Sequence, residues 1–595
     1  MPNESPHAEY NRRLNAIAES AAQLRGRDRA FGFAKLVLGL LIVFAAIWLM
    51  KYHAAKIFFL LIPIVLFIVF AVLHERVLRR LRDFSRLRGY YERGIARVEN
   101  RWAGTGETGE RFLDPSHPYA RDLDIFGSGS LFQLLCTART RSGEETLAVW
   151  LQMAASIPEI AARQEAVREM TPKIDFRERL VLAGEEARAG VHPEQLISWA
   201  EAKPSLNGWL IRATAVTLTV LWLVSLFVWW RWDWLAVALC MSLVNFGVSY
   251  KLRARVMRTA AGVDGAQHEL ALLALVLKLI ESETVASPKL KELQSLLATT
   301  GAVASRAIEQ LGKRVEWLES GDNWFVKILE PFVFWTPQWV VSIERWRERH
   351  GAAIRTWLAA TGEVEALSAL AVYAFEHPAD SYPQFVEEGP RIDALAVAHP
   401  LLARDKAVAN DLTLDCDLQL LVISGPNMAG KSTFMRSIGV NVLLAQAGAP
   451  VCAQRMTLSS LQVAASICIL DSLQGGLSRF YAEISRLKQI DELSKGKTPV
   501  LFLLDELLSG TNSFDRRVGT ESFVRSLLGR GAIGLVTTHD LALAEIAEQI
   551  GPHAANFHFE DTFEHGKLHF DYKLTPGIVQ TTNALLLMRS IGLEV

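Results

Sequence analysis

The chain has 595 residues, half of them hydrophobic and 21% charged, with a formal net charge of −1 and a mean hydropathy of +0.18. This length exceeds one hydrophobic core and the composition excludes a disordered chain, so several packed domains are expected. The near-zero charge supplies no global attraction for nucleic-acid phosphates. The five cysteines, Cys136, Cys240, Cys416, Cys452 and Cys468, form no C-x-x-C pair and read as reduced thiols rather than a zinc or disulfide framework.

The apolar excess sits in two short regions. Phe31 to Met50 is apolar apart from Lys35, and at about 1.5 Å per residue it spans about 30 Å, the thickness of a bilayer core. Ile57 to Leu73 carries no charge, and with the polar stretch Lys51–Lys56 before it the pair reads as a transmembrane hairpin. Ala213 to Trp230 and Trp234 to Tyr250 repeat the arrangement around Arg231-Trp232-Asp233. Arg25, Arg27 and Arg29 precede the first hairpin and Arg76, Arg79, Arg80 and Arg82 follow it; Arg212 precedes the second, and Lys251, Arg253 and Arg255 follow. By the positive-inside rule all four ends are cytoplasmic. The expectation is a multi-pass membrane protein with four helices in the lipid bilayer and with its N-terminus and remaining domains in the cytoplasm.

In chain order this gives a cytosolic segment over 1–30, a hairpin over 31–73, and a cytosolic helix and linker over 74–112. A helical region over 113–212 follows, then the second hairpin over 213–250, more helices over 251–394 and an α/β domain over 395–595. Residues 76–101, rich in arginine but mixed with acids, read as a solvated amphipathic helix leaving the membrane. Helical periodicity through Leu131–Leu135, Leu147–Leu151 and 256–375 indicates that the second hairpin interrupts a single helical domain.

The chemistry is concentrated at the C-terminal end. Leu418 to Ser424 is a short apolar run that delivers Gly425-Pro426-Asn427-Met428-Ala429-Gly430-Lys431-Ser432 to a helix-compatible stretch. This is G-x-x-x-x-G-K-S in the strand–loop–helix context of a phosphate-binding loop. Its backbone N–H groups converge on phosphates, Lys431 brings a point charge to the β and γ phosphates of ATP, and Ser432 offers a hydroxyl to Mg²⁺. A second apolar strand, Val500–Leu504, ends in Asp505-Glu506: Asp505 suits the Mg²⁺ shell and Glu506 the general base that polarises water. A third, Ala532–Thr538, ends at His539, whose imidazole can bond the γ-phosphate or the water and is assigned as a switch residue.

With these residues in place, the chain resembles the DNA mismatch repair MutS family. The Pro426-Asn427-Met428 of the loop, continuing through Lys431-Ser432-Thr433-Phe434, looks like that family's Walker A, and Asp471 to Glu483 looks like its signature segment. Ser509-Gly510-Thr511 to Asp515 resembles its loop after Walker B, and His399-Pro400 with Asn410 its approach to the P-loop. The resemblance is weaker over 113–200 and 256–394, where Leu131–Leu135, Thr140-Arg141-Ser142-Gly143 and Trp150-Leu151 are similar to the start of its core or lever domain.

What the resemblance implies is an ABC-type α/β P-loop ATPase domain, an all-α lever domain and a dimer in which each Ser478 completes the partner's site. Tyr572 falls where the family places an adenine-stacking aromatic. Ala429 stands for the usual second glycine and Arg479 for the usual threonine, and residues 1–112 contain no Phe-x-Glu wedge. The expected function is a membrane-anchored, DNA-associated ATPase whose DNA contacts are non-specific. The rival expectation is an ATP-driven machine that remodels the membrane or a protein partner without DNA.

Overall fold

The computed structural model describes residues 5–52, 60–184, 193–202, 208–260, 267–298, 303–322, 324–426, 429–468, 479–508, 510–539, 541–564 and 567–579. The chain divides into two compact units: residues 1–102 with 175–185, and residues 103–174 with 186–595.

The first unit is built on two long helices, Pro6–Tyr52 and Leu61–Val98. They pack antiparallel, because Tyr10 meets Tyr91 at 5.6 Å, Asp28 meets His74 Nε2 at 2.6 Å and Phe31 meets Phe70 at 5.9 Å. The stretch expected to cross a membrane from 31 to 50 is thus the second half of one uninterrupted helix that begins at Pro6. Outward-facing residues such as Phe33, Leu40, Ile47 and Ile62 are exposed, whereas Tyr90 and Tyr91 near the polar end are buried. Residues 175–185 belong to this unit: Glu178 accepts from Tyr91 Oη at 2.9 Å and from Arg13 Nη1 at 2.9 Å.

In the second unit the helices Gly208–Trp232 and Leu235–Ala260 form the other hairpin. All four of these helices are long and apolar enough to cross a membrane. A fifth, Trp335–Glu376, meets the same criterion, but its apolar stretch is mostly buried inside the protein, as expected of a core element. At about 1.5 Å per residue this helix, termed the lever helix for its length, is about 63 Å long. It runs beside the helices Arg141–Gln152, Pro193–Glu201 and Ala304–Glu319 and against the second hairpin. Trp346 Nε1 donates to Ala307 O at 2.8 Å, and the buried Arg347 pairs with Glu344 at 2.7 Å. The helix stops at Glu376 because Pro378 disfavours helical geometry at His377, which takes φ −124°.

Its far end meets the α/β domain. Tyr373 Oη and Arg404 Nη2 both donate to Asp380 Oδ2, at 2.9 and 2.8 Å, beside a four-stranded sheet ordered Gln384–Phe385, Arg455–Leu458, Ile392–Val397, Asn410–Leu414. The α/β fold therefore starts at 384, eleven residues ahead of the boundary that the motifs suggest at 395. The main sheet has six strands in the order Thr575–Pro576, Ala554–His558, Leu420–Ser424, Ile533–Thr538, Val500–Asp505, Gln462–Ser466. All pairings are parallel except the first. The P-loop strand is buried at every position, the pattern of a parallel strand covered on both faces. Two of the strands expected from sequence are shorter by one or two residues at their N-terminal ends, beginning at Leu420 and Ile533.

One buried acid ties the lever helix to the helix Arg141–Gln152. Glu365 accepts from the N–H of Arg139 at 3.2 Å, and from the N–H and hydroxyl of Thr140 at 3.1 and 2.5 Å. Thr140 in turn caps the helix Arg141–Gln152 by accepting from the Gly143 N–H at 3.1 Å. Burial pushes the Glu365 carboxyl from 4.5 up to about 7, more than the Thr140 hydrogen bonds and the Arg139 charge pull it down. Between those values the folded chain holds a proton that the unfolded chain releases. The associated stability is complete below about 4.5 and is lost as pH rises through about 7. Thermal unfolding of the detergent-solubilised protein is thus expected to give a lower Tm at about pH 8 than at about pH 5.5, and Glu365→Gln to narrow the gap. An unchanged gap in the variant would assign the pH dependence to other groups.

Candidate functional site

Parallel pairing sets the site. Ser424 pairs with Thr538, and Thr537 with Asp505, so three strands end at one level and their following residues converge. The P-loop leaves its strand at Gly425, with φ +144°, where a Cβ would lie 2.7 Å from Phe559 O. It enters the helix Lys431–Ala447 through Gly430, with φ +102° and Tyr572 packed against it. A residue with a side chain would be strained at either position. Asn427 and Met428 lie outside the described residues, and so do Ser478 and the preceding part of the signature-like segment.

Lys431 is buried, and its Nζ donates to Gly425 O at 2.7 Å and Pro426 O at 3.0 Å, which curls the side chain over its own loop. Burial lowers its pKa, and the Glu506 and Asp505 carboxylates act in the opposite sense. Ser432 Oγ donates to Asp505 Oδ2 at 2.6 Å, and Thr537 Oγ1 donates to Asp505 Oδ1. A hydroxyl and a carboxylate in contact at the end of a phosphate loop are the oxygen donors that Mg²⁺ takes, so the residues fit the ion. Glu506 follows with φ +47°, a left-handed conformation that is uncommon without glycine and is often found where function requires it. Its Oε1 lies 3.2 Å from His539 Nδ1, which brings the acid and the imidazole assigned from sequence into direct contact.

Beside these groups lies a cavity of about 580 Å³ lined in part by His399, Leu402, Lys406, Phe434 and Tyr572, together with Gly430, Lys431, Ser432 and Thr433 of the loop. One side is polar and the other aromatic and aliphatic, as a site for a phosphorylated heterocycle requires. Burial lowers His399 to about 4, aided by the nearby Arg436 charge, so its ring is neutral. Asn410 does not enter as a lone ligand. Its Nδ2 donates to Tyr572 O at 3.0 Å and its Oδ1 accepts from Leu574 N–H at 2.9 Å, which fixes the loop carrying Tyr572.

Three contributors were not assigned from sequence. Thr537 positions Asp505. Glu483, buried at the end of the signature-like segment, accepts from the Leu508 N–H at 2.5 Å and so links the helix Arg479–Leu493 to the turn after Glu506. Asp122 Oδ1 accepts from Ile467 and Cys468 N–H at 2.7 and 2.8 Å, while its carbonyl accepts from Arg436 Nε at 2.8 Å. That residue lies more than 300 positions from its partners. Alternation and motif spacing carry no signal for such a contact.

Residues 421–593 match the family model for MutS domain V. Over 253 residues the chain is 33% identical to DNA mismatch repair protein MutS 2 of Halobacterium salinarum, covering 41% of this chain and 29% of that protein. It is 30% identical to DNA mismatch repair protein MutS of Lactobacillus johnsonii over 39% of this chain and 28% of that one. It is 34% identical to Endonuclease MutS2 of Thermus thermophilus over 34% and 27%. The matched region thus spans less than a third of each of these relatives.

The Asn410–Tyr572 arrangement makes a specific prediction. Asn410→Ala and Tyr572→Ala are each expected to weaken binding of a fluorescent ATP analogue about tenfold, and the double variant little more than either, because one change acts through the other. Fully additive losses would show that Asn410 does not work by holding Tyr572.

Proposed function

Because the chain belongs to the MutS family through its domain V, we propose that it is a membrane-anchored, DNA-associated ATPase that binds and hydrolyses ATP at composite sites in a dimer. The observation that carries the reading is the cluster at the strand ends, where Ser432 meets Asp505 and Glu506 meets His539. When ATP enters, Lys431 exchanges the Gly425 and Pro426 carbonyls for phosphate oxygens. Backbone N–H groups of Gly430 to Thr433, at the start of the helix, would meet the same phosphates, and Tyr572 would stack on the base. Ser432 and Asp505 would hold Mg²⁺, which would supply positive charge to neutralise the phosphates. Glu506 polarises the attacking water, and His539, in contact with it, orients that water or the γ-phosphate.

Dimerisation is supported by exposed apolar side chains next to the site. Phe480 and Tyr481 open the helix Arg479–Leu493, Phe514 opens the helix Ser513–Leu528, and Phe480 packs beside Gly510. Such a surface suits a second copy, which would bring Ser478 to the γ-phosphate. Anchoring is supported by four apolar helices with exposed faces and by the basic residues that flank each hairpin in sequence. The DNA association rests on the relatives, named for mismatch repair and as an endonuclease. No basic excess accompanies it.

The second reading, an ATP-driven machine that moves its own hairpins or a protein partner without DNA, is favoured by the lever helix, one continuous element from the second hairpin to the edge of the ATPase domain.

Lys431→Ala is expected to abolish ATP binding, whereas Glu506→Gln should keep binding and lower turnover by about 10²-fold. Equal turnover in Glu506→Gln and the unmodified protein would remove Glu506 from the role of base. Titration against a matched duplex and the same duplex with one G·T pair is expected to give weak, salt-dependent binding with no preference near tenfold, about 1.4 kcal/mol. A tenfold preference would restore mismatch recognition. Absence of any DNA binding, together with ATPase activity that responds to lipid, would select the second reading.

A further inference from the structure

Between the helix Ala304–Glu319 and the lever helix lies a ten-residue helix, Trp324–Val333, with the sequence Trp-Phe-Val-Lys-Ile-Leu-Glu-Pro-Phe-Val. Polar residues there are Lys327 and Glu330, and Trp324, Ile328 and Leu329 are 61%, 57% and 49% exposed. A cytosolic helix that shows this much apolar surface is costly in water, since exposed patches of this kind mark an interaction site.

Its C-terminal end is fastened to the second hairpin. Phe332 stacks on Trp222 with ring centroids 4.9 Å apart, and its carbonyl accepts from Thr219 Oγ1 at 3.2 Å and from Asn245 Nδ2 at 3.4 Å. Thr219 lies six positions inside the apolar span that starts at Ala213, a depth of about 9 Å at 1.5 Å per residue. Phe334, left-handed at φ +50°, then breaks this helix from the lever helix.

Tryptophans mark the level at which the chain leaves again. Trp317 stacks on Trp339 at 5.7 Å with planes 7° apart, and Trp335 packs against both. Aromatic clusters of this amphipathic kind settle at a membrane–water boundary. Glu330 is not left bare, because Thr336 Oγ1 donates to it at 2.7 Å. Lys327 is exposed, as lysines are at a lipid surface.

We propose that Trp324–Val333 is a third membrane element, a re-entrant wedge that dips into the cytoplasmic leaflet beside the second hairpin and returns at Phe334. The occupant of its exposed face is the headgroup–acyl boundary of that leaflet. Two observations favour lipid over a protein partner: the short helix packs against both helices of the hairpin, whose own apolar side chains such as Val216 and Leu243 are exposed like Ile328 and Leu329, and the depth of Phe332 matches the 5–10 Å at which interfacial helices lie. The wedge rests on the membrane reading of the hairpin. It also makes the lever helix start inside the leaflet.

The test uses the full chain with its two exposed cysteines, Cys240 and Cys416, replaced by serine. A polarity-sensitive fluorophore is placed at Ile328→Cys, with Leu329→Cys as a second position on the same face. Leu243→Cys serves in the hairpin and Val149→Cys on a cytosolic helix. After reconstitution into phosphatidylcholine vesicles carrying nitroxide on shallow or deep acyl carbons, the probes at 328 and 329 are expected to lose about twofold in intensity with the shallow label, the probe at 243 with the deep label, and that at 149 with neither. Quenching at 243 while 328 and 329 respond only to aqueous iodide would overturn the wedge and leave the hairpin in the bilayer. Shielding of 328 and 329 from both quenchers would assign the face to a protein and equally overturn it. No lipid quenching at 243 would sink the hairpin reading and the wedge with it.

Discussion

The in-register parallel pairing of Leu420–Ser424, Ile533–Thr538 and Val500–Asp505 is the constraint on which the candidate site depends. Parallel strands buried on both faces have no freedom to slip, because a one-residue shift would turn every side chain to the other face. The ends of the three strands are therefore held at one level, and each carries a group that is useful only there. Thr537 and Ser432 each bond one oxygen of Asp505, so that its carboxylate is oriented before any nucleotide arrives. The left-handed turn at Glu506 and again at Leu508 turns the chain sharply away from the sheet, and Glu483 holds that turn by its Leu508 bond. Backbone strain of roughly 1–3 kcal/mol per residue persists only where surrounding structure fixes it, as here.

A second constraint is the length of the lever helix. A single element can carry motion between distant sites only if both ends are fixed to what moves. At the ATPase end, Tyr373 and Arg404 share Asp380. Midway, Glu365 holds the cap of Arg141–Gln152. Near its start, packing against the second hairpin completes the chain of contacts. The segment around Asp122 adds a shorter link, joining the helix that follows the P-loop to the strand leading toward the signature-like stretch.

Much of this was legible in the sequence, and what was not has a common cause. The P-loop, the two carboxylates after Val500–Leu504 and His539 announce themselves because local chemistry demands fixed spacing. The apolar hairpins are legible because bilayer thickness sets a minimum length. By contrast, Asp122 and Glu365 look like ordinary surface acids, and their partners are 345 and 225 residues away along the chain. The grouping of residues 175–185 with the N-terminal helices depends on Glu178 meeting Arg13 and Tyr91, again non-local. The short sheet beginning at Gln384 was missed because its first strand has only two residues and pairs with Arg455–Leu458 across the whole P-loop helix. The apolar stretch Trp324–Val333 was absorbed into a long helical periodicity, since ten residues are too few to span a bilayer and nothing in the pattern separates a buried turn from a lipid-facing one.

The second hairpin shows why so few polar groups suffice to attach it. If the hairpin lies among lipid chains, as proposed, the hydrophobic effect gives its helices no reason to associate, so packing and hydrogen bonds decide which surfaces meet. Asn245, fully buried, donates to both Leu218 O and Phe332 O, and Trp222 Nε1 donates to Ser242 Oγ at 3.0 Å. Each such bond contributes on the order of 0.6 kcal/mol in a membrane, too little to fix a helix by itself. Together they set register rather than strength, since any sliding would leave the Asn245 amide in an apolar layer without an acceptor, at a cost of several kcal/mol. The two helices of the hairpin and the Phe332 end of the short helix are thereby indexed to one another. The left-handed residue Phe334 is fully buried and joins the Phe332 end directly to the first turn of the lever helix. A rotation of the lever at its ATPase end would therefore be resisted or transmitted at the hairpin, because the connection from Trp324 to Glu376 is helical apart from the buried turn residue Phe334, and Gly351 and Gly362 both sit inside the continuous lever helix.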